Sequence, residues 1–381
     1  MMTERRAPNL PCLTGLRGVA ALIVVVYHYL QAPSLVTGTI VSPFAGYLGV
    51  DLFFILSGFL MALNYGSAFD RRFGLAAYWD FLGKRIARVY PLYAFVTMVV
   101  FVLSFWNIFQ AHVRLRVVVI NLALAQQLGP GWIRPYLGDS ILGGAWSIST
   151  ELGAYLLFPL LYRVACRSGR GAGIAALALA VAAIALLVWL PPSLTVQQLP
   201  KQGPLDLWSG WSAWPLIRCL ADFTIGLWLW RFVTDHPHAA LGRDSAGPVL
   251  ALAAVALLFV RGADFVAVVV IAALIGHLSF ERSRLAAWLG TAPMIWLGEV
   301  SYAVYILHVS LIAFTFEHPQ GIFAHPAFHD HYPLVLATTL LMLFVLSRLL
   351  FLHVERPARR WMRALFAIPV RRPIGEEPAA P

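Results

Sequence analysis

Apolar runs long enough to cross a bilayer recur along the whole chain, and they constrain its fold more than any other feature. A hydrocarbon layer about 30 Å thick needs roughly 17–25 apolar residues in helical form. Such stretches lie near 14–35, 44–65, 88–108, 146–163, 171–190, 214–232, 247–261, 264–280, 293–315 and 333–353. The expected fold is therefore all-α, a polytopic membrane protein with about ten transmembrane helices. Composition agrees: 60% of the 381 residues are hydrophobic and 12% charged, with a mean hydropathy of +0.75, far from that of a soluble domain. A secretory leader is the competing reading of the N-terminus, since Arg5 and Arg6 precede the first run. That run carries Arg17 and His28 and has no small-residue cleavage site, so it is read as a retained helix.

Charge fixes the orientation. The segment 115–128 is apolar but short, and Arg114, Arg116 and Gly129-Pro130-Gly131 flank it, so it is read as re-entrant or interfacial. With ten crossings and both termini cytoplasmic, all but six of the 28 Lys and Arg residues fall on the cytoplasmic side, as the positive-inside rule requires. Counting 115–128 as a crossing would export Arg163, Arg167, Arg170 and the arginines from 356 to 372. The net charge of +10 thus reflects topology and implies no nucleic-acid partner. The outer loops fall near 109–145, 191–213 and 316–332. A membrane domain is expected over 1–363, followed by a short disordered cytoplasmic tail over 364–381, rich in proline and charge. Cys12, Cys166 and Cys219 lie far apart without a CxxC pair and read as packing residues.

Ionisable groups inside such runs are costly, about 2.5–3.5 kcal/mol at the bilayer centre, and mark candidate sites. His28 stands eleven residues after Arg17, roughly 16 Å along a helix. If Arg17 sits at the cytoplasmic rim, the imidazole is near mid-membrane, where it can act as a general base or simply hydrogen-bond a neighbouring helix. Asp51, in Gly49-Val50-Asp51-Leu52, needs a cationic or hydrogen-bonding partner. Pairing with His28 would hold one imidazole tautomer, as in catalytic triads, and a structural role within the bundle is the alternative. Arg85 and Arg88 share a helical face and can clamp a phosphorylated ligand or serve only as topogenic charge. Ser147 and Glu151 lie on one face of the next span, where they can grip a polar acceptor. Alternatively, Trp146 is an interfacial belt residue and Glu151 faces water. Ser301, Tyr305 and His308 form one polar stripe, suited either to substrate contact or to joining helices. Arg218, Asp222 and Arg231 suit pairing within the bundle at least as well as ligand contact. His325, His329, Asp330 and His331 lack a ligand spacing, and no metal site is expected. The chain has no GxxxxGK[ST], HExxH or GxSxG motif, which argues against an NTPase, a zinc protease or a serine hydrolase of the elbow type. A proton-coupled transporter or flippase of a small polar or lipid-linked substrate remains the other class compatible with intramembrane charge.

The strings GLRGVAALIVVVYH (15–28), GVDLFFILSGF (49–59), RIARVYP (85–91), WSISTE (146–151), SYAVYILH (301–308) and VERP (354–357) resemble, in order and across nearly the whole chain, the acyltransferase-3 family of membrane O-acyltransferases. The resemblance implies transfer of an acyl group, usually acetyl, from cytosolic acyl-CoA to a hydroxyl of a carbohydrate, lipid-linked glycan, lipid or macrolide. It implies no permanently bound cofactor, with acyl-CoA as co-substrate, and a bacterial cytoplasmic membrane location. It points to His28 as the essential histidine and to Arg85 and Arg88 as contacts for the CoA phosphates; Asp51 is expected to orient His28, and Arg17 to join the donor contacts. Asp51, Glu151, Ser301, Tyr302 and His308 match other motif positions of the family; Trp146, Ser147, Glu151, Ser301, Tyr302, Tyr305 and His308 are expected to form the acceptor or supporting site, and Tyr302 is a candidate nucleophile should transfer run through a covalent relay. Thr150 stands where an aliphatic residue is expected. Many relatives carry an additional hydrolase-like domain, for which the chain is expected to be too short, leaving transfer to the membrane domain or to a separate protein.

Overall fold

A computed structural model describes residues 10–37, 44–70, 74–105, 114–128, 140–191, 194, 202–208, 212–317 and 331–366. All regular structure among them is helical. The helices are α1 (Pro11–Thr37), α2 (Gly49–Tyr65), α3 (Leu75–Ser104), α4 (Leu115–Leu122), α5 (Trp146–Tyr162), α6 (Arg170–Val188), α7 (Trp214–Asp235), α8 (Ala246–Leu257), α9 (Asp264–Ser279), α10 (Arg284–Leu289), α11 (Ala292–Ile312), α12 (Tyr332–Leu350) and α13 (Arg356–Phe366).

Six helical stretches are long and apolar enough to cross a membrane: Pro11–Gln31, Gly46–Phe69, Leu75–Ser104, Arg170–Val188, Ala292–Phe316 and Pro333–Met362. The four other expected spans are also helical, but α8 and α9 are short, at 12 and 16 residues. Helix α5 has 17 residues, and α7 carries Arg218, Asp222, Arg231 and Asp235 along its length. Helix α4, with eight residues, extends only about 12 Å, too little for a crossing. The boundary expected at 363/364 falls inside α13, which runs on to Phe366. His325, His329 and Asp330 lie outside the described residues, as do parts of the three loops expected on the outer side.

Two helix pairs pack most extensively, α1 with α11 and α2 with α7. Glycine permits both. A Cβ on Gly298 of α11 would lie 1.9 Å from the Thr14 carbonyl oxygen of α1, and one on Gly58 of α2 would lie 2.0 Å from that of Phe223 on α7. In lipid, where apolar burial drives association weakly, such close backbone approach is a main source of helix–helix attraction. The first pair brings the polar stripe of α11 against Arg17 and His28. The second brings Asp51 against Arg218. Gly298→Ala is expected to push α1 and α11 apart and cost about 1–3 kcal/mol. A thermal melt of the purified protein checks this, and an unchanged midpoint would contradict the packing described.

Pro91 and Pro159 sit inside α3 and α5, where each removes one i→i−4 hydrogen bond. Wider π-turns at 163–167, 313–317 and 351–355 follow α5, α11 and α12. The last of them redirects the chain into α13, which packs along α3.

Candidate active site

A cavity between α1, α2, α3, α5 and α11 has arginines at one end and hydroxyl groups at the other. Arg17, Arg85 and Arg88 line the first end. Arg17 donates from Nε and Nη2 to the Gly298 carbonyl oxygen at 3.3 and 2.8 Å, an acceptor that also takes the Ser301 hydroxyl at 2.8 Å. Arg85 donates to the Tyr65 hydroxyl at 2.7 Å and lies 4.9 Å from the centre of the Tyr65 ring. These bonds hold the guanidinium groups extended while leaving further N–H donors for an anion.

Along the wall, Glu151 Oε1 accepts from Ser57 Oγ and from the Tyr155 hydroxyl, both at 2.5 Å. Glu151, partly buried on the cavity wall, joins α5 to α2 through these bonds. Tyr302 lines the same wall and donates to the Val89 carbonyl oxygen at 2.6 Å, so its hydroxyl proton is directed at backbone, away from any base.

At the other end Ser147 Oγ lies 2.7 Å from the Tyr305 hydroxyl oxygen. Both hydroxyls also reach the Gly144 carbonyl oxygen, at 3.2 and 3.0 Å. Gly143 makes this possible: its φ of +56° lies in the left-handed region that suits glycine, and the turn it forms aims the next carbonyl at the hydroxyl pair. A side chain there would also run into Val309, 2.4 Å from the Cβ position.

Behind Tyr305 lie the two histidines. The rings of Tyr305 and His308 are 5.5 Å apart between centres, and those of His308 and His28 are 4.9 Å apart, edge to face. His308 Nδ1 lies 2.7 Å from the Tyr305 carbonyl oxygen. Because a carbonyl only accepts, that nitrogen carries the hydrogen, and in a neutral ring Nε2 presents a lone pair. His308 Nε2 is 3.3 Å from His28 Nδ1, which is also 2.9 Å from the Val24 carbonyl oxygen. These partners assign the proton of His28 to Nδ1, and its Nε2 is left with a lone pair.

Asp51 is not the partner of His28. Both of its oxygens engage Arg218: Nε donates to Oδ1 at 2.8 Å, and Nη2 donates to Oδ2 and, at 3.1 Å, to the Tyr47 carbonyl oxygen. The pair is buried, at 1% and 0% side-chain exposure, and Asp222 is buried beside it on α7. The apolar packing of α2 on α7 decides the outcome, because it places a guanidinium directly against the carboxylate. Trp146, 8% exposed, lies inside the bundle with the Arg218 guanidinium 5.9 Å from its ring, and so is no interfacial belt residue. Sequence reasoning did not single out Ser57, Tyr155 or Tyr65. The spacing of Glu151 and Tyr155, four residues on one helix, was the available signal. Among the described residues no cluster of metal-ligating side chains occurs.

Comparison with known proteins gives this arrangement a context. The acyltransferase domain family matches residues 10–355. The chain belongs to the acyltransferase-3 family. It is 29% identical over 329 residues to the acyltransferase MdmB of Streptomyces mycarofaciens, covering 81% of this chain and 80% of that protein. It is 30% identical over 164 residues to the O-acetyltransferase OatA of Staphylococcus aureus, 40% of this chain and 24% of that protein. A third similarity, 44% over 81 residues, is to protein 2 of the picA locus of Rhizobium radiobacter, covering 21% of this chain and 38% of that protein. No solved structure matches. The family and these relatives make the chain an acyltransferase, embedded in a membrane by its apolar helices.

Proposed function

We propose that the protein spans a bacterial cytoplasmic membrane ten times with both termini in the cytoplasm, and transfers an acyl group, acetyl in the simplest case, from cytosolic acyl-CoA to a hydroxyl of a carbohydrate, glycan or lipid-linked acceptor. The observation that carries this reading is the cavity that starts among Arg17, Arg85 and Arg88 and ends at Ser147 and Tyr305, with His308 against the Tyr305 ring and His28 against His308.

In this reading the donor enters with its phosphates on the three arginines and its thioester toward the hydroxyl pair. The acceptor comes from the opposite side, and a rotation of Tyr305 opens the way to His28. His28 Nε2 takes the proton of the acceptor hydroxyl as its oxygen bonds to the thioester carbonyl carbon. The carbon–sulfur bond then breaks, the thiolate of coenzyme A leaves, and the proton on His28 passes to it. The imidazolium formed in between is stabilised by Val24 and His308, which accept from Nδ1. The Ser147 hydroxyl, released from Tyr305 by that rotation, is placed to donate to the oxyanion of the tetrahedral intermediate. Direct transfer fits better than a relay through Tyr302, whose proton points to Val89.

The test uses purified protein in nanodiscs with radiolabelled acetyl-CoA and isolated envelope glycans or glycolipids as acceptors, with mass spectrometry of the products. Combined replacement of Arg85 and Arg88 by glutamine removes charge-assisted hydrogen bonds, each of about 1.5–3 kcal/mol. The KM for acetyl-CoA is expected to rise about tenfold or more. An unchanged KM would remove these arginines from the donor site, and absence of any label transfer or thioester cleavage would overturn the enzymatic reading.

A further inference from the structure

Outside the cavity, the π-turn at 351–355 and the start of α13 shape a second concave site. Its walls are Arg348, Arg356, Arg359 and Arg360, with Phe351 and a single carboxylate, Glu299. Arg359 pairs with Glu355 at 3.4 Å, and the Arg348 guanidinium lies 5.7 Å from the Phe351 ring. Arg356 and Arg360 are exposed, and neither makes an ion pair among the described residues. Arginines serving topology alone can point separately into water, where mutual repulsion is least. Here four converge on one groove, which leaves an excess of positive charge facing open space.

The groove adjoins the donor end of the cavity. Glu355 is 1% exposed, and its carboxylate lies within electrostatic reach of Arg17 and Arg88 as well as of Arg359. Helix α13 packs along α3, which carries Arg85 and Arg88. A ligand whose diphosphate rests on the cavity arginines would have its outer end beside Glu355, facing the groove. Coenzyme A has such an end: the ribose beyond its diphosphate bears a 3′-phosphate monoester, with a charge near −2 at neutral pH by analogy with other phosphomonoesters. Guanidinium forks match phosphate oxygens in geometry and charge, and all four cations of the groove are arginine.

We propose that this groove binds the 3′-phosphate of the acyl donor, with Arg356 and Arg360 as its principal contacts. The proposal rests on the reading of the chain as an acyl-CoA-dependent enzyme. A groove of this charge also suits the headgroup of an anionic lipid, and the two sources of phosphate separate by experiment. Full-length protein is reconstituted in phosphatidylcholine nanodiscs, and the binding of coenzyme A and of 3′-dephospho-coenzyme A is measured by calorimetry. Wild-type protein is expected to bind coenzyme A at least tenfold more tightly. Combined Arg356→Gln and Arg360→Gln is expected to erase that difference without weakening dephospho-coenzyme A, while Arg356→Lys with Arg360→Lys keeps part of it. A difference that persists in the glutamine variant, or wild-type protein that binds both compounds equally, overturns the proposal and leaves the enzymatic reading intact. Binding of neither compound overturns both. Equal binding of the two nucleotides, together with arginine-dependent retention of phosphatidylglycerol in native mass spectra, would assign the groove to lipid instead.

Discussion

Replacing His28 with glutamine is expected to lower kcat for acyl transfer by about 10²–10⁴-fold, the usual contribution of a positioned general base, with little change in the KM for acetyl-CoA. The selectivity follows from the geometry. The arginines proposed to hold the donor line the cavity, whereas His28 lies outside its lining, behind Tyr305 and His308, so the substitution touches proton transfer and leaves the phosphate contacts alone. Glutamine can still donate toward Val24 and His308, and the packing of α1 against α11 is kept. His308→Asn is expected to have a smaller effect, about tenfold in kcat, because His308 positions the His28 ring without touching substrate, and Val24 remains to hold the Nδ1 proton. Steady-state kinetics in nanodiscs tests both. A His28→Gln protein that retains wild-type turnover would remove the base from the mechanism.

Arg218→Met is expected to destabilise the protein by about 3–5 kcal/mol, because it leaves the Asp51 carboxylate buried without its cation. Asp51→Leu is expected to cost a similar amount by isolating Arg218. Combining the two substitutions removes both charges, and stability is expected to return to within about 1–2 kcal/mol of wild type, since apolar replacement of a whole buried pair is often nearly neutral. The double variant also decides what Asp51 does. If its work is to tie α2 to α7, the double variant recovers acyl transfer along with its fold. If Asp51 instead orients His28, the fold recovers and the activity does not. Thermal unfolding followed by intrinsic fluorescence, with transfer activity on the same preparations, gives both readings.

Much of the bundle could be read from hydropathy alone, since each expected span overlaps a helix and the segment 115–128 folds into a helix too short to cross. The stripe of Ser301, Tyr305 and His308 was legible because helical periodicity fixes which side chains share a face. The distance from Arg17 to His28 was legible from rise per residue. Which helices neighbour one another was not. Nothing in the residues around Asp51 shows that α7 lies against α2, so its carboxylate was matched to the conspicuous histidine of α1. The glycines that set those contacts, Gly58 and Gly298, give no signal by composition. The hydrogen-bond partners of Glu151 were not legible for a similar reason. Its partners, Ser57 and Tyr155, are a small hydroxyl on another helix and an aromatic residue one turn away, both ordinary in an apolar segment.

The hydroxyl bridge between Ser147 and Tyr305 has a bearing on the electrical integrity of the bilayer. Two substrates approaching from opposite faces, as proposed above, would need a common channel, and an unobstructed one would conduct water and protons across the membrane. A barrier made of a phenol ring held by a side-chain hydrogen bond and a backbone contact resists such leakage while the enzyme is idle. Each of those bonds contributes only about 1 kcal/mol net, so an arriving hydroxyl that offers equivalent partners can displace the ring with little activation. Insulation and turnover then depend on the same few atoms.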